Sequence, residues 1–196
     1  MIHVPLKRLT ANRARCYLVT PGDCWRPVTR WTRNDLIVDA AVIMQKLLRN
    51  DRTGNWHVGG MFLEFDNSGS AVDPVPTINV EDGLAYYESL GSSPNRDYLR
   101  VPLLGTSESS SDQDKYPGGN VAEFIAQTAG SVGVHGKAFT AGLSRIYGGA
   151  LVALVDANDS SRDLIWSRLY FDPSDQVVKP VGSQIGVTWE YTFTES

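Results

Sequence analysis

Two hydrophobic periods run along this chain, and they meet near residue 56. Ahead of that point Leu36, Ala40, Ile43, Met44 and Leu47 recur at helical spacing, and Ile37, Ala41 and Leu48 widen the stripe. Asn34 or Asp35 offers an N-cap, Lys46 and Arg49 fall in the last turn where the helix dipole favours cations, and Asn50-Asp51 can end it. The spacing predicts a helix over 35–49. Its apolar stripe is wider than a coiled-coil seam requires, so it has to bury against a sheet or a partner subunit. Residues 1–30 show no sustained period and predict one or two short strands, or an arm lying against something else.

Beyond residue 56 the period is two. Met61, Leu63 and Phe65 alternate with Phe62 and Glu64, and Asp66-Asn67-Ser68-Gly69 closes that strand. Pro74-Val75-Pro76 forces extended backbone into Ile78 and Val80, and a short helix is predicted over 81–90. Further strands are predicted at 98–104, 121–128, 137–141, 146–155, 163–171, 176–181 and 184–193, with Pro102 placing the first of them at a sheet edge. In the last, Ile185, Val187, Trp189, Tyr191 and Phe193 make one face and Thr188, Glu190 and Thr192 the other. Asp156-Ala157-Asn158-Asp159 separates two runs as a hairpin would. The pattern predicts a mainly β protein, an antiparallel β-sandwich or jelly-roll-like body with one N-terminal amphipathic helix. The Ser-rich, acidic stretch between Gly105 and Gly119 predicts a long solvated loop, or an arm that orders against a neighbouring subunit.

Charge follows the same division. Residues 1–60 carry ten Lys or Arg against four Asp, a balance of +6, and the rest of the chain is −10, which gives the net −4. The expected organisation is a basic N-terminal attachment region, 1–55, and an acidic β domain, 56–196. With 42% apolar and 20% charged residues the composition is that of an ordinary globular protein. No apolar run approaches the ~20 residues of a membrane span, and Met1 to Arg8 lacks the apolar core of a secretory signal. A soluble, intracellularly made protein with no membrane partner is expected.

Catalytic signatures are missing: no phosphate loop, no dinucleotide fingerprint, no His-Glu-x-x-His and no nucleophile elbow. His3, His57 and His135 read as turn or strand-end residues, and Glu64, Asp82, Glu88, Glu123 and Glu190 show no spacing that selects a glycosidase pair. Asp156-x-Asn158-x-Ser160 imitates the opening of a calcium loop but has Ser161 where Gly is needed and Ser167 where Glu is needed. Cys16 and Cys24 lack metal or redox spacing and flank the turn Pro21-Gly22-Asp23. Two reduced thiols near a turn are the first expectation; a hairpin there could also bring them together, and a bridge would need Cα atoms within about 7 Å. No cofactor, metal or catalytic residue is expected, and the protein reads as a non-enzyme.

What remains is the basic segment. Arg13, Arg15, Arg26, Arg30 and Arg33 are interleaved with Trp25 and Trp31, a mixture that could grip phosphates and stack on bases. An acidic body and a pI near 5.3 disfavour nucleic acid. Arg and Trp are also enriched where proteins anchor to each other, so these seven residues are read as a protein interface.

Four segments carry a resemblance: Gly60 to Asn67, Asp97 to Leu103, Phe124 to Gly130, and Gln184 to Phe193. Together they resemble uncharacterised virion proteins of tailed bacteriophages over roughly residues 57–193, with the basic first part outside. The resemblance implies a structural role in a symmetric particle, assembled in many copies in a virion after synthesis in the host cytoplasm. Its partners would be other copies of itself and other virion proteins, in a tail, neck or fibre-anchoring adaptor or, alternatively, a capsid decoration protein. A carbohydrate-binding β-sandwich is the alternative from another class, with Trp166 and Tyr170 stacking on sugars; the same alternation also fits a core position for both.

Overall fold

The computed structural model describes residues 7–22, 24–33, 35–36, 39–73, 83–109, 121–128 and 131–195. The protein is mainly β. Its strands are β1 (Lys7–Thr20), β2 (Cys24–Pro27), β3 (Thr32–Arg33), β4 (Asp35–Leu36), β5 (Gly60–Asp66), β6 (Arg96–Ser109), β7 (Val121–Gln127), β8 (Arg145–Ala153), β9 (Leu164–Tyr170), β10 (Val177–Val178) and β11 (Gln184–Glu195). Among the described residues two helices accompany them, α1 (Asp39–Leu48) and α2 (Gly83–Ser89), the latter running into a 3-10 turn at Leu90–Ser92. All pairings are antiparallel, in the order β2-β1-β11-β7-β6-β5-β8-β9-β4, with β3 on β1 and β10 on β8. The sheet curls into a half-barrel.

The curl turns on β6. Its first part, to Pro102, pairs with β5, and from Leu103 it pairs with β7, with a register shift between Leu103 and Gly105. Pro102 therefore lies where the strand changes partners and its missing N–H is tolerated. In the sheet order β6 stands between β5 and β7, so the expected place at the sheet's edge is corrected, although each stretch of the strand pairs on one side only.

Curling brings two sets of alternating side chains together. Ala14 and Cys16 of β1 and Ile185, Val187, Trp189 and Tyr191 of β11 share one buried core with Met61, Leu63 and Phe65 of β5 and Leu99 and Val101 of β6. One polar bridge crosses between the sheet's two ends, Asn12 Nδ2 of β1 donating to Ser167 Oγ of β9 at 3.2 Å, and Asn12 Oδ1 in turn accepts the Trp189 indole N–H of the neighbouring β11 at 3.1 Å. The basic first part of the chain and the acidic body thus share one sheet and one core, and the division expected at residue 55 does not separate two cores. Nor is the first segment a short strand or a loose arm, since β1 matches β11 from Lys7↔Glu195 to Val19↔Gln184.

On the outer face of β5, β8 and β9, α2 covers a second cluster of Phe62, Tyr87, Leu90, Tyr98, Ala150, Val152 and Ile165. Within it Glu64 is fully buried and receives four hydrogen bonds. Arg168 donates Nε to Oε1 and Nη2 to Oε2, both at 2.8 Å, Tyr87 donates to Oε1 at 2.7 Å, and Tyr86 to Oε2 at 2.9 Å. The Arg168 guanidinium lies over the Tyr86 ring at 4.2 Å and the Tyr170 ring at 5.1 Å. Gly148, opposite both Glu64 and Tyr170, leaves the room this requires: a Cβ there would stand 3.2 Å from Glu64 Oε2 and 2.9 Å from the Leu169 carbonyl.

The helix expected over 35–49 is shorter. Asp35 and Leu36 pair instead with Arg168 and Ser167 as β4, and α1 begins at Asp39. Its end follows expectation. Asn50 takes the left-handed conformation (φ 51°), its N–H donates to Leu47 O, and Asp51 N–H donates to Lys46 O, a Schellman termination. The strand expected at 137–141 reduces to one bridge, Val132↔Ala138, because the surrounding loop folds on Asp97, whose carboxylate accepts the N–H groups of His135 and Lys137 at 3.1 Å. The Ser-rich loop begins later than expected, since residues to Ser109 belong to β6; its centre, 110–120, and the extended segment expected at 74–80 lie outside the described residues.

Both cysteines are free. Cys16 is fully buried and burial pushes its thiol up to about 12, whereas Cys24 is exposed on β2. Titration with a thiol reagent at pH 8 should therefore consume one group in the native protein and the second only after denaturant is added. Slow loss of both together would show that the β1 core is open to solvent.

A candidate interface along β1, β3 and α1

Since Ala14 and Cys16 point inward, Arg13, Arg15 and Tyr17 point outward. The segment after β2 folds back over them. Trp31 lies against both guanidiniums, 4.5 Å from Arg13 and 5.6 Å from Arg15. Arg13 also donates Nε and Nη2 to Glu190 Oε1 at 3.0 and 2.7 Å, and Arg15 Nε donates to the Thr29 carbonyl at 3.0 Å. Trp25 packs on Tyr17 with centroids 5.6 Å apart and lies over Gly186, where any Cβ would run into the indole. Four of the seven residues read as an interface, Arg13, Arg15, Trp25 and Trp31, thus hold the chain to its own sheet. Arg26, Arg30 and Arg33 are exposed and have no ion-pair partner among the described residues.

The same run of chain continues through Leu36 into α1. The helix is anchored at its start by Asp39, whose Oδ2 accepts the Ile165 N–H of β9 at 3.1 Å. Burial pushes this carboxyl up and the N–H pulls it back. In the middle Ile43 packs with Ala153, Val155, Trp56 and Leu164. At the far end Lys46 Nζ reaches Asp51 at 2.7 Å and lies 4.7 Å from the Trp56 ring. That donation, with two more from the Thr53 hydroxyl and N–H, holds the Asp51 carboxyl well below the usual carboxylate range.

Only Ala40 and Ile43 of the helix are buried. Val42, Met44, Leu47 and Leu48 are exposed, Leu48 to 88%, and Leu36 beside them to 45%. Arg49 and Arg52 follow the helix in the chain, exposed and without an ion-pair partner among the described residues. The wide apolar stripe is half satisfied by β9 and half left open.

The other candidates have structural partners. His135 is a turn residue whose N–H meets Asp97 and whose Nε2 lies 2.9 Å from the Tyr87 carbonyl, and His57 is exposed. Glu64 belongs to Arg168 and Glu190 to Arg13, while His3 and Asp82 lie outside the described residues. Asp156 and Asp159 accept the N–H groups of Asn158 and Ser161 in the connection between β8 and β9, as a hairpin turn requires. Among the described residues no group of three or more His, Cys, Asp or Glu could hold a metal. Trp166 packs inward against Tyr191 with centroids 6.4 Å apart, whereas Tyr170 faces outward beside Tyr147 and Arg168. The two do not form one stacking platform.

No protein-family model, curated protein or solved structure matches the chain. The functional reading therefore starts from these residues. Met44, Leu47 and Leu48 were legible only as part of a helix face in need of cover, signalled by the width of the apolar stripe, and Arg49 only as a last-turn cation; nothing in the sequence pointed to Arg52.

Proposed function

We propose that this chain is a non-enzymatic structural protein of a tailed-bacteriophage virion, an adaptor of the tail, neck or fibre-anchoring apparatus assembled in multiple copies. One observation carries the reading: an apolar helix face, open to solvent, follows in the chain on a run of exposed arginines without an ion-pair partner among the described residues. Contiguous exposed apolar surface marks a protein contact, and Met and Arg are both enriched in such interfaces. In this reading the two halves of the curled sheet serve as the two layers of a sandwich-like body, and the α1 side is its attachment surface.

The resemblance of four segments to virion proteins supplies the setting, and partners are other copies and other virion proteins. Nucleic acid is disfavoured because Arg13, Arg15, Trp25 and Trp31, the residues best suited to grip it, are engaged within the fold. Quantitative mass spectrometry of purified particles tests the proposal. A copy number matching one ring per particle is expected. A number matching the capsid lattice would favour the decoration protein, and absence from particles would overturn the virion role.

A further inference from the structure

Where β2, β1, β11 and β7 lie side by side, two cross-strand rows stand next to each other on the outer face of the sheet. Trp25, Val19 and Gln184 form one row, and Tyr17, Gly186 and Gln127 the other. All point away from the core, because their neighbours Cys16, Ala126, Ile185 and Val187 point into it. Aromatic rings thus hold one end of the paired rows and carboxamides the other. Gly186 stands between them, and its missing side chain leaves the place that the Trp25 indole takes. The indole is half-buried, as is the Tyr17 ring beside it.

A cleft of about 240 Å³ opens beside these rows, lined by Val19, Thr20, Pro21, Gln127, Gly182 and Gln184. It is smaller than the roughly 300–1,000 Å³ of a pocket that encloses a whole drug-sized ligand, so it takes one ring-sized unit of a larger molecule. Thr20, Pro21, Gly182 and Gln184 are exposed at its mouth, which leaves the rest of such a molecule room to run out into solvent.

No charged side chain lines the cleft. Its polar groups are neutral and work in both directions. Gln127 Nε2 donates to Gln184 Oε1, which leaves the Gln127 carbonyl oxygen as an acceptor and the Gln184 amide nitrogen as a donor, neither with another hydrogen bond among the described residues. Reversing both amides would still leave one acceptor beside one donor. The Thr20 hydroxyl adds a group that does both. A matching ligand has to donate and accept from adjacent atoms, and it has to be uncharged, since an ion would lose hydration here and meet no counter-charge. Vicinal hydroxyls of a sugar ring meet both conditions, and the ring's C–H surface suits a neighbouring indole.

From this geometry we infer that the cleft binds one neutral sugar residue of a glycan, with Gln127, Gln184 and Thr20 on its hydroxyls and Trp25 beside its C–H face. Carbohydrate recognition is thereby placed away from Trp166 and Tyr170. The inference stands apart from the assembly reading, whose failure or success in purified particles leaves it untouched.

The test titrates the full chain with the methyl glycosides of glucose, galactose, mannose and rhamnose and with N-acetylglucosamine, to tens of millimolar, in a proton–nitrogen correlation spectrum. Methyl glucuronide is the charged control. At least one neutral probe should move the side-chain amide signals of Gln127 and Gln184 together with the Trp25 indole N–H, and the glucuronide should bind more weakly than the glucoside. Gln184→Ala and Gln127→Ala should each weaken binding of that probe roughly five- to tenfold, the worth of one hydrogen bond, at an unchanged melting temperature. Failure of every neutral probe to bind the wild-type chain overturns the inference, whatever the variants do. Shifts confined to another part of the molecule, binding that survives both substitutions, or glucuronide binding as tight as glucoside binding would also overturn it. If a short uncharged peptide moves these signals and no sugar does, the cleft belongs to a peptide and the inference fails.

Discussion

Replacing Glu64 by alanine should destabilise the protein by roughly 3–5 kcal/mol, the usual cost of removing one member of a buried ion pair. The reason is what stays behind. Arg168, with its side chain 7% exposed, would keep a charge with no counter-ion, and the Tyr86 and Tyr87 hydroxyls would lose their acceptor at the same time. The network cannot relieve itself by titrating. Burial, reinforced by the Glu64 carboxylate, pushes both phenols well above their ordinary value, so they remain donors. In the intact protein Glu64 offsets the burial that works against the Arg168 charge; in the variant only the burial remains, and an arginine still holds its proton. Urea unfolding followed by tryptophan fluorescence measures the loss, and for a chain of this size the melting point should fall by about 6–20 °C. Removing the charge pair and one orphaned hydroxyl together, as Glu64→Leu, Arg168→Met and Tyr87→Phe, should return a large part of it. A single-variant loss under about 1 kcal/mol would mean that water reaches the site, contrary to the complete burial of Glu64.

Deleting residues 1–33 should abolish folding rather than release a soluble body that has lost only its attachment. Twelve residues of β1 stand opposite partners in β11, and the deletion would expose that whole ladder. It would also open the core at Ala14 and Cys16 and leave the Trp189 indole N–H without the Asn12 acceptor, inside the molecule. A truncated chain should be insoluble, or give the narrow amide dispersion of an unfolded polypeptide in a proton–nitrogen correlation spectrum. A well-dispersed spectrum from residues 34–196 would make β1 an addition to a sheet that is complete without it.

The strands legible in the sequence were those with a strong apolar period. β11 alternates large apolar residues with Thr and Glu because one face meets the core and the other does not. β5 was equally plain, although Glu64 sat on what looked like its solvent face, and only Arg168 across β8 explains its burial. β1 escaped because its inward positions are small, Ala14 and Cys16, and its outward positions are arginines. Its period was carried by charge rather than by hydrophobicity. Pro102 misled for a different reason: proline rules out a continuous ladder with one partner, and β6 has two partners in succession. For the interface, residue type singled out arginines and tryptophans, but cross-strand contacts decide which are free. The indoles lie against neighbouring arginines and Tyr17, while the open surface belongs to methionine and leucines that any helical wheel would place inside.

The pairing of β1 with β11 has a consequence for how the molecule is made. The first described strand to emerge from the ribosome waits for the last, about 10–35 s later at 5–20 residues per second. During that interval the inner edge of β1 has no partner of its own and every neighbouring nascent chain offers the same unpaired sequence. Alternating arginines at 13 and 15 repel their counterparts on a second chain laid alongside in register, and so guard the strand while it waits. The cations that clasp Trp31 in the finished protein would, on this account, first act as chaperones of their own strand.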